Sequence, residues 1–115
     1  ILPTICEVAK AEMPSEMVVD GRSFLPQIRG EVGSPRESIY MWYSRNGKVK
    51  EARAFARTQR YKLYESGKLY DIAHDRMEAN PLDVNSLDAR QKKTMAILQT
   101  HIQQFADIVP PRKNK

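Results

Sequence analysis

Residues 57–82 read RTQRYKLYESGKLYDIAHDRMEANPL, and this stretch decides the fold. From Arg57 to Tyr64 polar and apolar side chains alternate, the two-residue period of a half-buried strand. Ser66-Gly67 is a turn signal, because glycine adopts positive φ without steric cost. Lys68 to Ile72 then reads as a short returning strand, and the segment ends in acidic and amide residues that favour irregular turns.

Working outward toward the N-terminus, Glu37 to Ser44 is a further strand, with Ile39, Met41 and Tyr43 on one face and Ser38, Tyr40 and Trp42 on the other. Arg45-Asn46-Gly47-Lys48 follows, and Asn-Gly is the strongest short hairpin signal. A second strand is expected from Ala52 to Tyr64 and a third from Lys68 to Ile72, so successive hairpins build an antiparallel sheet. Toward the C-terminus, Asn85 or Ser86 is expected to cap a helix that runs to Ala106 or Asp107. Leu87, Gln91, Met95, Leu98, Ile102 and Phe105 form its stripe at helical spacing, and Pro110-Pro111 stops it. Ahead of the sheet, Ile1 to Ala11 reads as a helix with Pro3 in its first turn and Ile1, Ile5, Val8 and Ala9 on one face. A short helix from Phe24 to Arg29 follows, capped by Ser23 and closed by Gly30. The fold class is therefore α+β: a small antiparallel sheet with a long C-terminal helix packed on it and short N-terminal helices.

The 115 residues suffice for one small domain, and 41% hydrophobic with 29% charged residues is an ordinary globular composition. No apolar run approaches the ~20 residues of a membrane helix, and no membrane partner is expected. ILPTICEVAK has neither a basic leader nor an initiator Met, so a cut ahead of Ile1 is expected. The net charge is +5, with positives dispersed over Arg57, Arg60 and Lys62, over Arg90, Lys92 and Lys93, and over a basic tail at 108–115 holding Arg112, Lys113 and Lys115. A solvated surface accounts for that distribution better than a polyanion site does.

Cys6 is the single cysteine, so the chain forms no internal disulfide; on the apolar face of the first helix, it reads as a buried structural thiol and not as a nucleophile. His74, Asp75 and Glu78 are three ligand-type residues within five positions, but no second cluster completes a coordination sphere, and an Asx-type turn at Asp75 explains them. His101 reads as a surface or interface residue. The aromatic and basic runs YMWYSR and RTQRYKLY suit single-stranded nucleic acid, yet no RNP-type motif or GXXG loop accompanies them, and aromatics on such a sheet more often pack under a helix. No set of residues here is competent for catalysis.

The order of motifs resembles the C-terminal segment of the formylglycine-dependent, arylsulfatase-like sulfatases. Ile1-Leu2-Pro3-Thr4 with Ile5, Val8 and Ala9 is similar to that family's D-[IL]-x-P-T-[IL]-x-x-[IL]-A-G helix. Asp20-Gly21-Arg22-Ser23-Phe24-Leu25-Pro26 with Gly30-Glu31 resembles D-G-x-S-L-x-P and L-x-G-E, and Arg36 to Tyr40 resembles the strand after it. Arg57 to Tyr64 resembles R-T-x-R-[WY]-K-[YL], and Leu69 to Ile72 with Asp75 to Asn80 resembles L-Y-D-L-x-x-D-P-x-E-x-x-N-L. Arg76 replaces the usual Pro, Met77 a common Gly, and Lys10 the small residue after Ala9, all changes of turn geometry. Residues 83–115 match only as a terminal helix.

The resemblance implies a four-stranded antiparallel sheet with a packed helix, attached to a large N-terminal catalytic domain of the same enzyme. It implies a parent that hydrolyses sulfate esters with formylglycine and calcium, with those groups upstream of Ile1 and none in this chain. Cys6-Glu7-Val8-Ala9-Lys10 does not match the sulfatase signature Cys/Ser-x-Pro/Ala-Ser-Arg. A periplasmic or secreted parent is expected. The substrate-binding candidates are Arg45, Asn46 and Lys48, whose donors suit an anionic or hydroxylated substrate. Self-association is expected through an apolar face left by the missing domain, including Ile1, Leu2, Ile5 or Trp42. The alternative is a self-standing basic α+β module that binds nucleic acid or sulfated glycan.

Overall fold

The alternation across residues 53–71 resolves into three strands, not two. In this computed structural model, which describes residues 1–108, β1 (Ile39–Tyr43), β2 (Arg53–Arg57), β3 (Tyr61–Tyr64) and β4 (Leu69–Asp71) form one antiparallel sheet in the order β1-β2-β3-β4. The expected strand from Ala52 to Tyr64 is broken by Thr58. Its hydroxyl accepts from the N–H of Arg60 at 3.2 Å and of Tyr61 at 3.0 Å, and its own N–H donates to the Tyr61 carbonyl at 2.9 Å. A threonine side chain that captures the next N–H groups in this way substitutes a turn for a ladder. Gly67, at φ 85°, makes the next turn as expected.

Asn46 (φ 61°) and Gly47 (φ 68°) take the positive angles foreseen for them, but the hairpin is not tight. A second helical turn, Val49–Glu51, intervenes before Tyr43 pairs with Arg53. Ala52, only 4% exposed, ends this longer connection in a buried position.

The register aligns Ala56 with Leu63 and Leu63 with Leu69, so three nearly solvent-free side chains lie side by side on one sheet face. Against them packs α3 (Ala89–Gln104), whose Leu98 is fully buried, with Met95 and Ile102 beside it. Tyr40 stacks on Phe105 with centroids 4.5 Å apart and planes 5° from parallel, and Ser38 Oγ bonds His101 Nδ1 at 2.8 Å. The cap of α3 is Asp88, not Asn85 or Ser86. Asp88 accepts from the Gln91 N–H at 2.7 Å, while Gln91 Oε1 accepts from the Asp88 N–H at 2.9 Å, a complete capping box. Asn85 and Ser86 are instead engaged by Asp83, whose side chain and carbonyl accept from their N–H groups. Beyond Gln104 the chain tightens into three-residue turns, which ends the helix before Ala106. Pro110-Pro111 and the basic residues Arg112, Lys113 and Lys115 lie outside the described residues.

Residues 1–36 form a separate unit. Here α1 (Leu2–Ala9) ends at Lys10, which takes a left-handed φ of 53° while Ala11 N–H bonds the Cys6 carbonyl. The face read as core is the outer one: Ile1, Ile5 and Val8 are 81%, 58% and 61% exposed, whereas Pro3 and Thr4 are buried. Thr4 Oγ1 accepts from the Phe24 N–H at 3.1 Å, which ties α1 to the start of α2 (Leu25–Ile28), and that polar contact decides which face turns inward. Cys6 is accordingly half-buried, not the buried thiol expected. No helix among the described residues is long and apolar enough to cross a membrane.

Candidate functional site

The connection between β1 and β2 separates the three residues expected to act together. Arg45 opens the first helical turn and borders a hollow of about 650 Å³ with Tyr43, Lys50, Glu51, Ala52 and Arg53. Asn46 sits at the positive-φ tip and does not line it. Lys48 turns to Glu51 at 3.5 Å, an exposed pair that holds the loop weakly. Of the three, only Arg45 lines this hollow, where it meets Lys50 and Arg53. Lys50 arrives through the helical turn at Val49–Glu51, which no composition signal marks. Arg53 arrives by register opposite Tyr43, which strand parity could have revealed had the connection length been known. Among the described residues none of these three cations has a carboxylate partner. The hollow offers positive charge, several N–H donors and one aromatic wall, and so suits an anion.

A second hollow of about 490 Å³ shares Ala52 and Arg53 and extends along the outer sheet face to Tyr64, Tyr70 and Glu78. Its floor is a polar and aromatic cluster. Lys62 Nζ donates to Glu78 Oε1 at 2.6 Å, Tyr64 Oη donates to Glu78 Oε2, and the ammonium lies 4.0 Å from the Phe55 ring centroid and 4.7 Å from that of Tyr64. Glu78 reaches this position from a left-handed backbone at φ 55°. Partial burial pushes its carboxyl up, but the hydrogen bonds from Lys62 and Tyr64 outweigh that and hold it below the ordinary glutamate value. Burial likewise pulls Lys62 down, and the bond to Glu78 reverses the direction, so its net shift is upward.

The trio His74, Asp75 and Glu78 is dispersed. His74 Nδ1 faces Asp71 Oδ2 at 3.1 Å; Asp75 accepts from the N–H of Ala79 at 3.1 Å and of Asn80 at 2.8 Å; Glu78 belongs to Lys62. The Asx-type turn foreseen at Asp75 is present, and those N–H groups lower its pKa. Asp71 is lowered first by Arg60, whose guanidinium grips both carboxylate oxygens at 2.7–3.2 Å. These carboxylates act as turn and strand fasteners. His101, half-buried and bonded to Ser38, joins the residue ahead of β1 to α3 and lines neither hollow.

Compared with known proteins, the chain matches no family model and no curated protein.

Proposed function

We propose that this chain is the C-terminal subdomain of a formylglycine-dependent sulfatase, catalytically inert by itself, with Arg45, Lys50 and Arg53 contributing to substrate choice. What carries the reading is the succession of five family-like motifs in one order over about 80 residues. The four-stranded antiparallel sheet under a C-terminal helix is the architecture that such a subdomain calls for. In the parent, formylglycine and calcium would supply the nucleophile and neutralise sulfate charge; no residue of this chain is assigned to them. The chain's own part is binding. A sulfate ester keeps a negative charge, and arginine presents paired donors to its oxygens while lysine adds a point charge.

The isolated chain is expected to release no sulfate from aryl or sugar sulfates. In the complete enzyme, replacing Arg45, Lys50 and Arg53 together by Ala is expected to raise KM about tenfold with kcat nearly unchanged, since the lost contacts hold substrate and transition state alike. Sulfate release by the isolated chain would overturn its inertness, and an unchanged KM would remove the three cations from substrate binding.

A second reading, a self-standing module for nucleic acid or sulfated glycan, draws on exposed Tyr43 standing beside those cations. Two features weigh against base stacking: Tyr40 is spent on Phe105, and Lys62 lies over the rings of Phe55 and Tyr64. Salt-sensitive binding of heparin or single-stranded oligonucleotide by a chain proven to be full length would favour this second reading.

A further inference from the structure

We propose that the two hollows are halves of one groove, joined at Arg53, that takes a sulfated saccharide longer than a single ring and not an aryl sulfate. The inference deepens the sulfatase reading and rests on it for the reaction, whereas the ligand class follows from the groove alone. Ala52 and Arg53 line both hollows, so Arg53 stands where one gives way to the other. All the lining residues belong to the sheet-and-helix unit that follows residue 36. The volumes, about 650 and 490 Å³, each fall within the usual range of small-ligand sites, roughly 300–1,000 Å³. A lone inorganic anion would leave most of such a groove empty.

The two ends differ in chemistry, and the difference selects the ligand. At the first, Arg45, Lys50 and Arg53 present cations without carboxylate partners among the described residues, which suits a sulfate group. At the second, Glu65, Ser66, Lys68 and Glu78 mix acceptors with donors. Glu65, Ser66 and Lys68 are exposed at the turn between β3 and β4. Each Glu78 oxygen already accepts one hydrogen bond, from Lys62 or from Tyr64, and a carboxylate oxygen can take a second. The two carboxylates repel another sulfate but accept from neutral hydroxyl groups. A saccharide hydroxyl can donate to such a carboxylate and accept from Lys68 or Ser66 at once. An aryl ring would displace water from the same groups and return no hydrogen bond, a net cost. The groove therefore has a direction: the sulfate lies over Arg45, Lys50 and Arg53, and the neighbouring unsulfated ring over Ser66, Lys68 and Glu78.

Titration of the whole chain, followed by amide NMR shifts, tests the groove with three probes: lactose sulfated on its galactose, galactose sulfate and nitrophenyl sulfate. Lactose sulfate is expected to bind about tenfold tighter than either of the others, the worth of one or two additional hydrogen bonds. All three should shift amides near Arg45, Lys50 and Arg53, and only lactose sulfate those near Ser66 and Lys68. Arg53→Ala should weaken every sulfate about tenfold, whereas Lys68→Ala should erase only the advantage of lactose sulfate. Both side chains are exposed, so neither change removes a core contact. The sulfatase reading is judged separately. It falls if the frame upstream of Ile1 lacks the Cys/Ser-x-Pro/Ala-Ser-Arg motif, even where lactose sulfate binds as described, and it stands with that motif even where no saccharide is preferred. The groove proposal is overturned if nitrophenyl sulfate binds as tightly as lactose sulfate, if Arg53→Ala leaves binding unchanged, or if lactose sulfate shifts nothing at Ser66 and Lys68.

Discussion

Leu98→Ala is expected to destabilise the sheet-and-helix unit by about 3 kcal/mol and to lower its thermal midpoint by roughly 15–20 °C. Leu98 is fully buried and meets a sheet face made of Ala56, Leu63 and Leu69, each 1% exposed or less. Two facts make the site intolerant. The sheet side already carries small residues, Ala54 and Ala56, so no neighbouring side chain on β2 can swing into the space. The strands are fixed in register by their ladders, so the backbone cannot close the gap. The removed atoms therefore cost their transfer energy and also leave a cavity. In a small domain, where the whole stability is of the order of 5–15 kcal/mol, this is a large fraction. Thermal unfolding by circular dichroism checks it, and a fall of less than about 5 °C would mean that α3 does not bear on the sheet as described.

Glu78→Ala is the second large effect, expected at about 2 kcal/mol. The change leaves the Lys62 ammonium without its carboxylate and the Tyr64 hydroxyl without its acceptor, in a site where the Lys62 side chain is only 14% exposed. The figure lies between that of an exposed pair and that of a fully buried one, because Glu78 retains 24% exposure. Backbone strain does not confuse the result, since alanine and glutamate are equally disfavoured at φ 55°. Adding Lys62→Met to Glu78→Ala should recover about 1 kcal/mol relative to additivity, because no unpaired charge then remains. The pH dependence has a definite sign. Glu78, Asp71 and Asp75 all have folded pKa values below their ordinary ones. Their contribution is complete above the ordinary carboxylate values near 4 and is lost as pH falls through the lower folded values. Urea unfolding between pH 7 and 2 is expected to show stability declining across that acid limb, with a shallower decline in Glu78→Ala. An unchanged acid limb would show that Glu78 is not the clamp described.

The parts of the fold that were legible in the sequence are those where local chemistry and burial agree. Strand β1 and the stripe of Met95, Leu98 and Ile102 carry their period openly, and Ser66-Gly67 is a turn by glycine geometry. The sheet break at Thr58 was hidden because its side-chain turn interrupts an alternation that looks continuous on paper. The N-terminal helix turns its periodic apolar face outward: four apolar residues on one face outweigh a single polar anchor in any periodicity argument, while the fold obeys the anchor. Its actual inner face depends on Thr4 bonding the backbone of Phe24, twenty positions away. At the start of α3, Asn85 and Ser86 compete with Asp88 on composition, and only the reciprocal bonds with Gln91 single out Asp88 as the cap.

The candidate site was legible only in part for the same reason. Arg45 was identified from the hairpin, whereas Lys50 and Arg53 depend on the length of the connection, which the Asn-Gly signal understated. The metal-like trio of His74, Asp75 and Glu78 illustrates the reverse. Closeness in sequence is undone when each side chain is claimed by a different neighbour, Asp71, the backbone at Asn80, and Lys62.

The central claim is that this chain is the sulfatase C-terminal subdomain, and the reading frame upstream of Ile1 tests it most directly. Sequencing that frame from genomic DNA or transcript is expected to show a continuous coding sequence with a Cys/Ser-x-Pro/Ala-Ser-Arg motif a few hundred codons before Ile1. A start codon immediately ahead of Ile1, or a long upstream frame without that motif, would contradict the account.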